Sequence, residues 1–384
     1  MNAKHISVSL VLVLCSVVLV GQKGITEGST IVLNKGKLLE SQRDIIPKIK
    51  IIFPELDGQK SCHTTNQRIN IAGQIDNFES IEYLVINNNS MASLDDNGVF
   101  EDSIYLQPGI QEIKITAQFN DTRIEDSFTI EYITPRMEFA RQAIKESKYH
   151  ALIIGVNEYS DRHFSTLDRP VKDANRIYQV LITKYAFESD NTTLLENPTK
   201  RKIERELDEI TKKVKSNDNL LIFFAGHGLW NEVSDVGYWI PTDAEYGSIS
   251  TYFSNSQLVT HIKEIQAKDY LVIADACFAG AMFNSRSVIK DSDKEIQEKF
   301  RLPSCKAMTS ESFKEADDKS AFAKYLIEEL YENDEVAIAA VKLYSKLYQP
   351  VKDNGGDPRY GTIKIGRDRG GEFIFIRKQI DNLH

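Results

Sequence analysis

Two short, fully apolar runs constrain this 384-residue chain more than any other feature. They are Asn219-Leu-Leu-Ile-Phe-Phe-Ala-Gly-His227-Gly228 and Tyr270-Leu-Val-Ile-Ala-Asp275-Ala-Cys277-Phe-Ala-Gly280. Each holds four or more apolar residues in a row, then small residues, then one reactive side chain. Runs this short and unbroken read as strands buried on both faces, as in a parallel sheet covered by helices. His150-Ala-Leu-Ile-Ile-Gly-Val156 is a third. Residues 171–185 and 199–214 have helical spacing, with Ile203, Leu207, Ile210 and Val214 three or four apart. A short strand is expected at 191–195, helices at 322–331 and 336–348, and a terminal strand at 371–377. The mixed charges of the 199–214 helix read as a solvated face. Strands alternating with helices predict βαβ units and a three-layer α/β/α sandwich with a mostly parallel sheet.

In such a sheet, ligands bind beyond the carboxyl ends of the strands, so His227 and Cys277, fifty residues apart, are expected in one crevice. The thiolate is the nucleophilic form of cysteine, and a neutral thiol needs a base to reach it at neutral pH. An adjacent imidazole takes that proton and later protonates a leaving amine. Gly228 permits a sharp turn after the histidine and exposes a backbone N–H. That N–H and the one of Cys277 are candidates for holding the oxyanion of a tetrahedral intermediate. Either residue alone reads more simply as a structural thiol or a satisfied core histidine; the pair, with its spacing and glycines, argues for catalysis.

Phe223-Phe-Ala-Gly-His227-Gly228 and Asp275-Ala-Cys277-Phe-Ala-Gly280 resemble the histidine and cysteine motifs of the caspase-like cysteine peptidases. Asp275 stands where caspases have glutamine, and one more residue separates the cysteine from Gly280. Both features are closer to metacaspases, whose stretch reads D-S-C-H-S-G. The resemblance covers about residues 149–378 and is nearest to bacterial metacaspase-like proteins. It implies a cysteine endopeptidase with Cys277 as nucleophile and His227 as base.

Asp275 lies two residues before Cys277, so on an extended strand it points to the same side. A carboxylate in the adjoining pocket wall favours a cationic substrate side chain, ideally the bidentate guanidinium of arginine. Leu167-Asp-Arg-Pro-Val-Lys-Asp173 resembles the metacaspase segment L-x-G-C-x-N-D, whose last aspartate joins that pocket; Arg169-Pro170 replaces its Gly-Cys. The simpler reading of Asp173 is a first-turn aspartate favoured by the helix dipole. Cys305-Lys-Ala-Met-Thr-Ser310 looks like the family's next strand, its edge free to pair with substrate backbone, and Ser310 is taken as substrate-binding. Together these residues imply cleavage after Arg or Lys.

Residues 284–303 are polar and basic, with no strong apolar periodicity, and read as a long loop in which a protease of this specificity could cut itself. No cofactor is expected. The resemblance raises calcium activation, for which Asp235, Asp243 and Glu245 are candidate ligands, although their spacing matches no EF-hand loop.

Residues 1–21 have the pattern of a secretory signal peptide, with Lys4 before an apolar run from Ile6 to Val20. Export is therefore expected (secreted, periplasmic or surface-bound), with no spanning segment after removal of the signal. A linker at 22–45 leads to an all-β segment at 46–134, with turn signals at Asp57-Gly58, Asp96-Asn-Gly98 and Pro108-Gly109. It resembles an immunoglobulin-like sandwich without the Cys…Trp…Cys core. A helical linker at 135–148 precedes the peptidase domain at 149–384.

Hydrophobic residues make up 41% and charged residues 27%, the balance of an ordinary globular protein, and the net charge of −9 argues against nucleic acid as a partner. Peptides or proteins with Arg or Lys before the scissile bond are the expected partners; oligomeric state is left open. Removal of the signal leaves three cysteines, Cys62, Cys277 and Cys305; Cys62 and Cys305 fall in different expected domains, so Cys277 is expected as a free thiol. The competing readings are a catalytically silent scaffold of the same fold and a clostripain- or gingipain-type peptidase.

Overall fold

The computed structural model describes residues 47–87, 90–276, 292–310, 321–363 and 365–379. The described residues from Lys48 onward make one compact unit. Its amino-terminal part is β-rich: β1 (Ile49–Phe53), β2 (Ser61–Thr64), β3 (Arg68–Ile75), β4 (Ile81–Ile86), β5 (Ser90–Met91), β6 (Val99–Tyr105), β7 (Gly109–Phe119) and β8 (Arg123–Tyr132). They form a three-stranded sheet in the order β1-β3-β6 and a five-stranded sheet in the order β2-β8-β7-β4-β5. The alternating burial of β3 and β7 sends Ile69, Ile71, Ile113 and Ile115 into one core shared by both sheets.

Two residues separate β8 from helix α1 (Pro135–Glu146), with the Thr134 side chain accepting the Met137 N–H and Pro135 in the first turn. The segment expected as a linker is therefore helical, yet it is no free tether. Met137, Ala140 and Ala143 are buried in the same apolar cluster as Ile153 and Phe223.

The main sheet follows through β9 (Tyr149–Gly155), α2 (Pro170–Lys184), β10 (Phe187–Glu196), α3 (Lys200–Lys213) and β11 (Asn219–Ala225). Next come the short strands β12 (Gly228–Asn231), β13 (Val236–Trp239) and β14 (Phe253–Ser254), then α4 (Asn255–Glu264), β15 (Asp269–Asp275), α5 (Asp293–Arg301) and β16 (Ser304–Ser310). The chain ends with α6 (Ala321–Glu332), β17 (Ala337–Ala339), α7 (Ala340–Asp353), β18 (Arg359–Thr362) and β19 (Ile374–Ile376). The central sheet has the order β10-β9-β11-β15-β16-β18. Its pairs are parallel except β16–β18.

Strand alternation explains why these runs are apolar throughout. In β11, Leu221, Phe223 and Ala225 face one cluster with α2, α6 and α7, whereas Leu220, Ile222 and Phe224 face another with α3 and α4. This is the expected three-layer α/β/α arrangement. Each fully buried Leu, Ile or Phe in it contributes about 1.5–3 kcal/mol of transfer free energy. No helix among the described residues is long and apolar enough to cross a membrane.

Three expectations need correction. Of the supposed loop at 284–303, residues 292–301 are an N-capped helix, α5, with Ser292 accepting the Glu295 N–H. Ile296 and Phe300, four apart, bury one face of it, a two-residue stripe too narrow to register as periodicity. The strand expected at 191–195 starts earlier, at Phe187, with an irregular register between Phe187 and Thr192. The helix expected at 336–348 begins only at Ala340, because Ala337–Ala339 pair antiparallel with β19.

Candidate active site

The sheet order changes direction between β9 and β11: β9 leads through α2 to β10 on one side, and β11 leads towards β15 on the other. Crevices at such switch points, beyond the carboxyl ends of parallel strands, are where ligands bind in open α/β sheets. His227 lies at this point, two residues past the end of β11. Gly226 makes the turn with φ +155°, and a Cβ there would stand 3.2 Å from the Tyr159 hydroxyl, the Phe224 ring and the Val156 side chain. Only glycine suits that backbone in that space.

The half-buried His227 ring is held by the loop after β9. Its Nε2 lies 2.9 Å from the Ser165 carbonyl oxygen and 3.2 Å from Ser165 Oγ. A carbonyl oxygen only accepts, so Nε2 carries the proton and the neutral ring keeps its lone pair on Nδ1. Tyr159 packs beside the imidazole at 4.9 Å between centroids. The loop is anchored by Asn197, at φ +46°, whose Oδ1 accepts the N–H of Asn157 at 2.7 Å and of Glu158 at 3.1 Å. Asn157 in turn accepts the Val171 N–H at 2.9 Å, joining the loop to the start of α2.

Cys277 follows Ala276 in the chain but lies outside the described residues, as does the rest of 277–291. Asp275 closes β15, level with Ala225 of β11 and Ser310 of β16. Its parity along the strand is that of Leu271 and Ile273, which face the α2 layer. Ser310 shares that parity with Met308, and its Oγ donates to Asp275 Oδ1 at 2.7 Å. Asp173, in the first turn of α2, is 7% exposed. Burial, and then the charge of Asp275, push its carboxyl above the usual aspartate range; Arg176, 3.9 Å away, offsets this only in part. A purely dipolar role at the helix start would favour the ionised form, so burial beside a second carboxylate is the stronger influence. Asp173, Asp275 and Ser310 thus lie on one side of the sheet's carboxyl edge, two of them carboxyl groups.

Gly228 opens β12 opposite Trp239. The Ile240 N–H donates to His227 O at 3.1 Å, a ladder bond one residue beyond the Gly228–Trp239 pair. By the alternation of an antiparallel ladder, Gly228 then occupies a non-hydrogen-bonded position and its N–H points away from β13.

The edge expected on the 305–310 strand is not free. β16 is interior, with β15 on one side and β18 antiparallel on the other, Lys306 opposite Thr362 and Thr309 opposite Arg359. The family's expected strand is present, but the last strand of the chain's own sheet covers it. The candidate calcium ligands do not converge. Asp243 accepts the Lys200 N–H at 2.8 Å at the start of α3, and Asp235 sits at φ +53° in the β12–β13 turn. Among the described residues no three His, Cys, Asp or Glu side chains are grouped to hold a metal ion. A cavity of about 330 Å³ between α1 and α5, lined by Phe139, Phe300 and Lys268, lies at the amino ends of the strands, away from His227.

Sequence reasoning missed Ser165, Tyr159, Asn157 and Asn197. Asparagine is the residue type that tolerates a left-handed backbone, which hints at Asn197. Nothing local links it to Asn157 forty positions earlier.

A mostly parallel α/β sheet has a histidine at its switch point, with Asp275 at the end of β15 and Asp173 on the neighbouring helix. The caspase domain family matches residues 148–356, more than half of the chain, and the chain belongs to that family. Membership suggests a cysteine peptidase. Metacaspase-4 of Arabidopsis thaliana is 31% identical over 85 residues, 20% of this chain and 20% of the relative, so the chain spans about a fifth of that relative's length. Among solved structures, caspase-1 from Spodoptera frugiperda aligns over 57% of this chain and 87% of its own, at 12% identity and a TM-score of 0.40. A Geobacter sulfurreducens protein aligns over 59% and 99%, at 14% identity and a TM-score of 0.39.

Proposed function

We propose that this protein is an exported cysteine endopeptidase that cleaves after Arg or Lys. His227 Nδ1, bearing the ring's lone pair, takes the proton of the Cys277 thiol. The thiolate attacks the scissile carbonyl carbon, and the negative charge on its oxygen is held by the N–H groups of Gly228 and Cys277. The imidazolium then protonates the leaving amine, and water, deprotonated by His227, releases the acyl group from sulfur. Asp275 and Asp173 bind the cationic side chain before the cut, with Ser310 orienting Asp275.

The observation that carries the specificity is the pairing of a buried Asp173 with Asp275 on the strand that leads to Cys277. Burial, and then the charge of Asp275, disfavour ionisation of Asp173, and a guanidinium or ammonium group beside it relieves this. Export rests on the apolar run after Lys4. The test is hydrolysis of matched fluorogenic peptides ending in Arg, Lys or Asp by wild type, Cys277→Ala and His227→Ala. Cleavage after Arg and Lys that both substitutions abolish is expected; cleavage after Asp alone would refute the acidic pocket.

A further inference from the structure

The ladder between β9 and β11 does not simply stop before His227. In a parallel pair, consecutive bonds alternate in direction along the ladder. The Val156 N–H donates to Ala225 O at 2.9 Å, so the next bond in sequence would run from the His227 N–H to the Val156 carbonyl. Instead, the His227 N–H donates to the Tyr159 hydroxyl at 2.9 Å, and that hydroxyl donates to Val156 O at 3.2 Å. One phenol oxygen is inserted into the ladder at the bond where the catalytic segment begins. It accepts from one strand and donates to the other, so neither backbone group is left unsatisfied.

We infer that Tyr159 is a positioning residue: its hydroxyl wedges β11 from β9 by one hydrogen-bond length and so fixes where the His227 imidazole stands. Three further observations bear on this. The ring of Tyr159 packs beside the imidazole. Gly226 has no side chain where a Cβ would meet the hydroxyl at 3.2 Å. On the other flank of β11 the ladder continues undisturbed, with the Gly226 N–H reaching Asp275 O at 3.3 Å. The strand therefore stays registered to β15, which leads to Cys277, and is held off only from β9. Without the hydroxyl, the His227 N–H can close directly on Val156 O, drawing the imidazole towards β9 and away from the Ser165 carbonyl that sets its tautomer.

The inference rests on the reading of His227 as the catalytic base, and its test separates the two. Tyr159→Phe keeps the ring and removes the hydroxyl. With an Arg peptide, kcat is expected to fall by about tenfold or more, since displacements near 1 Å cost up to ~100-fold. KM should change little, and the pH profile of kcat should shift. Nitrogen-15 spectra of the histidine rings need no substrate. In wild type the His227 ring is expected in the Nε2–H form, and in Tyr159→Phe its tautomer signal should move. An unchanged His227 signal together with wild-type kcat would overturn the inference. If wild type cleaves no peptide, the reading of the activity fails while the ring spectra still decide the wedge. Should Tyr159→Phe not fold, 3-fluorotyrosine placed at 159 keeps the volume and weakens the hydroxyl as an acceptor. The same shift in ring signal is expected of it, and its absence counts equally against the wedge.

Discussion

Ser310 Oγ donates a hydrogen bond to Asp275 Oδ1 at 2.7 Å, across two strands whose parallel register sets the residues side by side. Neither belongs to a loop. The carboxylate proposed to grip the substrate is aimed by the sheet itself, on a strand buried from Asp269 to Ala274. Hydrogen bonds to charged groups contribute roughly 1.5–3 kcal/mol. Ser310→Ala is therefore expected to lower kcat/KM for an Arg peptide by about tenfold, the equivalent of ~1.4 kcal/mol. The alkylation rate of Cys277 by iodoacetamide should be unchanged, since neither Cys277 nor His227 is altered. Steady-state kinetics beside alkylation rates check both halves.

Asp275→Asn and Asp173→Asn each remove one carboxylate of the proposed pocket, and loss of one partner of a buried charge pair costs roughly 2–5 kcal/mol. Both are expected to reduce kcat/KM for Arg and Lys peptides by ~30-fold or more. Charge removal should raise KM more than it lowers kcat. Equal cleavage of Arg peptides by wild type and either variant would be incompatible with the pocket.

Asp173 also predicts opposite effects of pH on activity and on stability. Its carboxyl sits above the usual range, so the folded protein favours the protonated form. The stability it contributes is complete below the ordinary aspartate value, near 3.9, and is lost as pH rises through the elevated folded value. Binding a cation needs the ionised form, so substrate affinity should increase over that same rise. Asp173→Asn is expected to melt at a higher temperature than wild type near neutral pH while binding Arg substrates more weakly. Calorimetry and KM measured across pH 4–8 test the two together.

Glu372 offers a second pH effect, away from the site. It is 1% exposed, accepts from the Tyr360 hydroxyl, and burial raises its carboxyl to about 7. The folded value again exceeds the unfolded one, so this contribution to stability is full at low pH and lost as pH rises through about 7. Glu372→Gln should flatten the fall in melting temperature between the unfolded value of 4.5 and about 7. A fall as steep in the variant as in wild type would assign it to other groups.

If the chain cuts itself, α5 narrows where. Lys294, Lys299 and Arg301 lie in a helix packed through Ile296 and Phe300 and tied to α1 by Arg136 and Asp293, 2.6 Å apart. A protease needs an extended substrate, so cleavage within α5 would cost its unfolding. The sites expected are Arg286 and Lys290, outside the described residues. Mass spectrometry after incubation should find cuts only there in wild type and none in Cys277→Ala, and Arg286→Gln with Lys290→Gln should leave the chain whole.

The sequence alone determined the strands and the residue types that stand at their ends. A run such as Leu220 to Ala225, apolar at every position, is compatible only with burial on both faces, and a parallel sheet under two helical layers follows from that local fact. The places of His227 and Asp275 were legible because each stands at the end of such a run, where strand parity and sheet polarity give its direction, whereas Ser310 ends a mixed run and was reached only through the family resemblance. Asp173 was legible only through its resemblance to a motif. What holds these groups came from the tertiary structure. The tautomer of His227 depends on the carbonyl of Ser165, 62 residues away. The segment that carries His227 begins at a hydroxyl inserted between two strands distant in sequence. The edge of β16 is closed by a strand about 50 residues further on. Periodicity records which side of an element is buried; it carries no record of which distant group lies against it, because any acceptor or donor of the right geometry satisfies the same backbone atom.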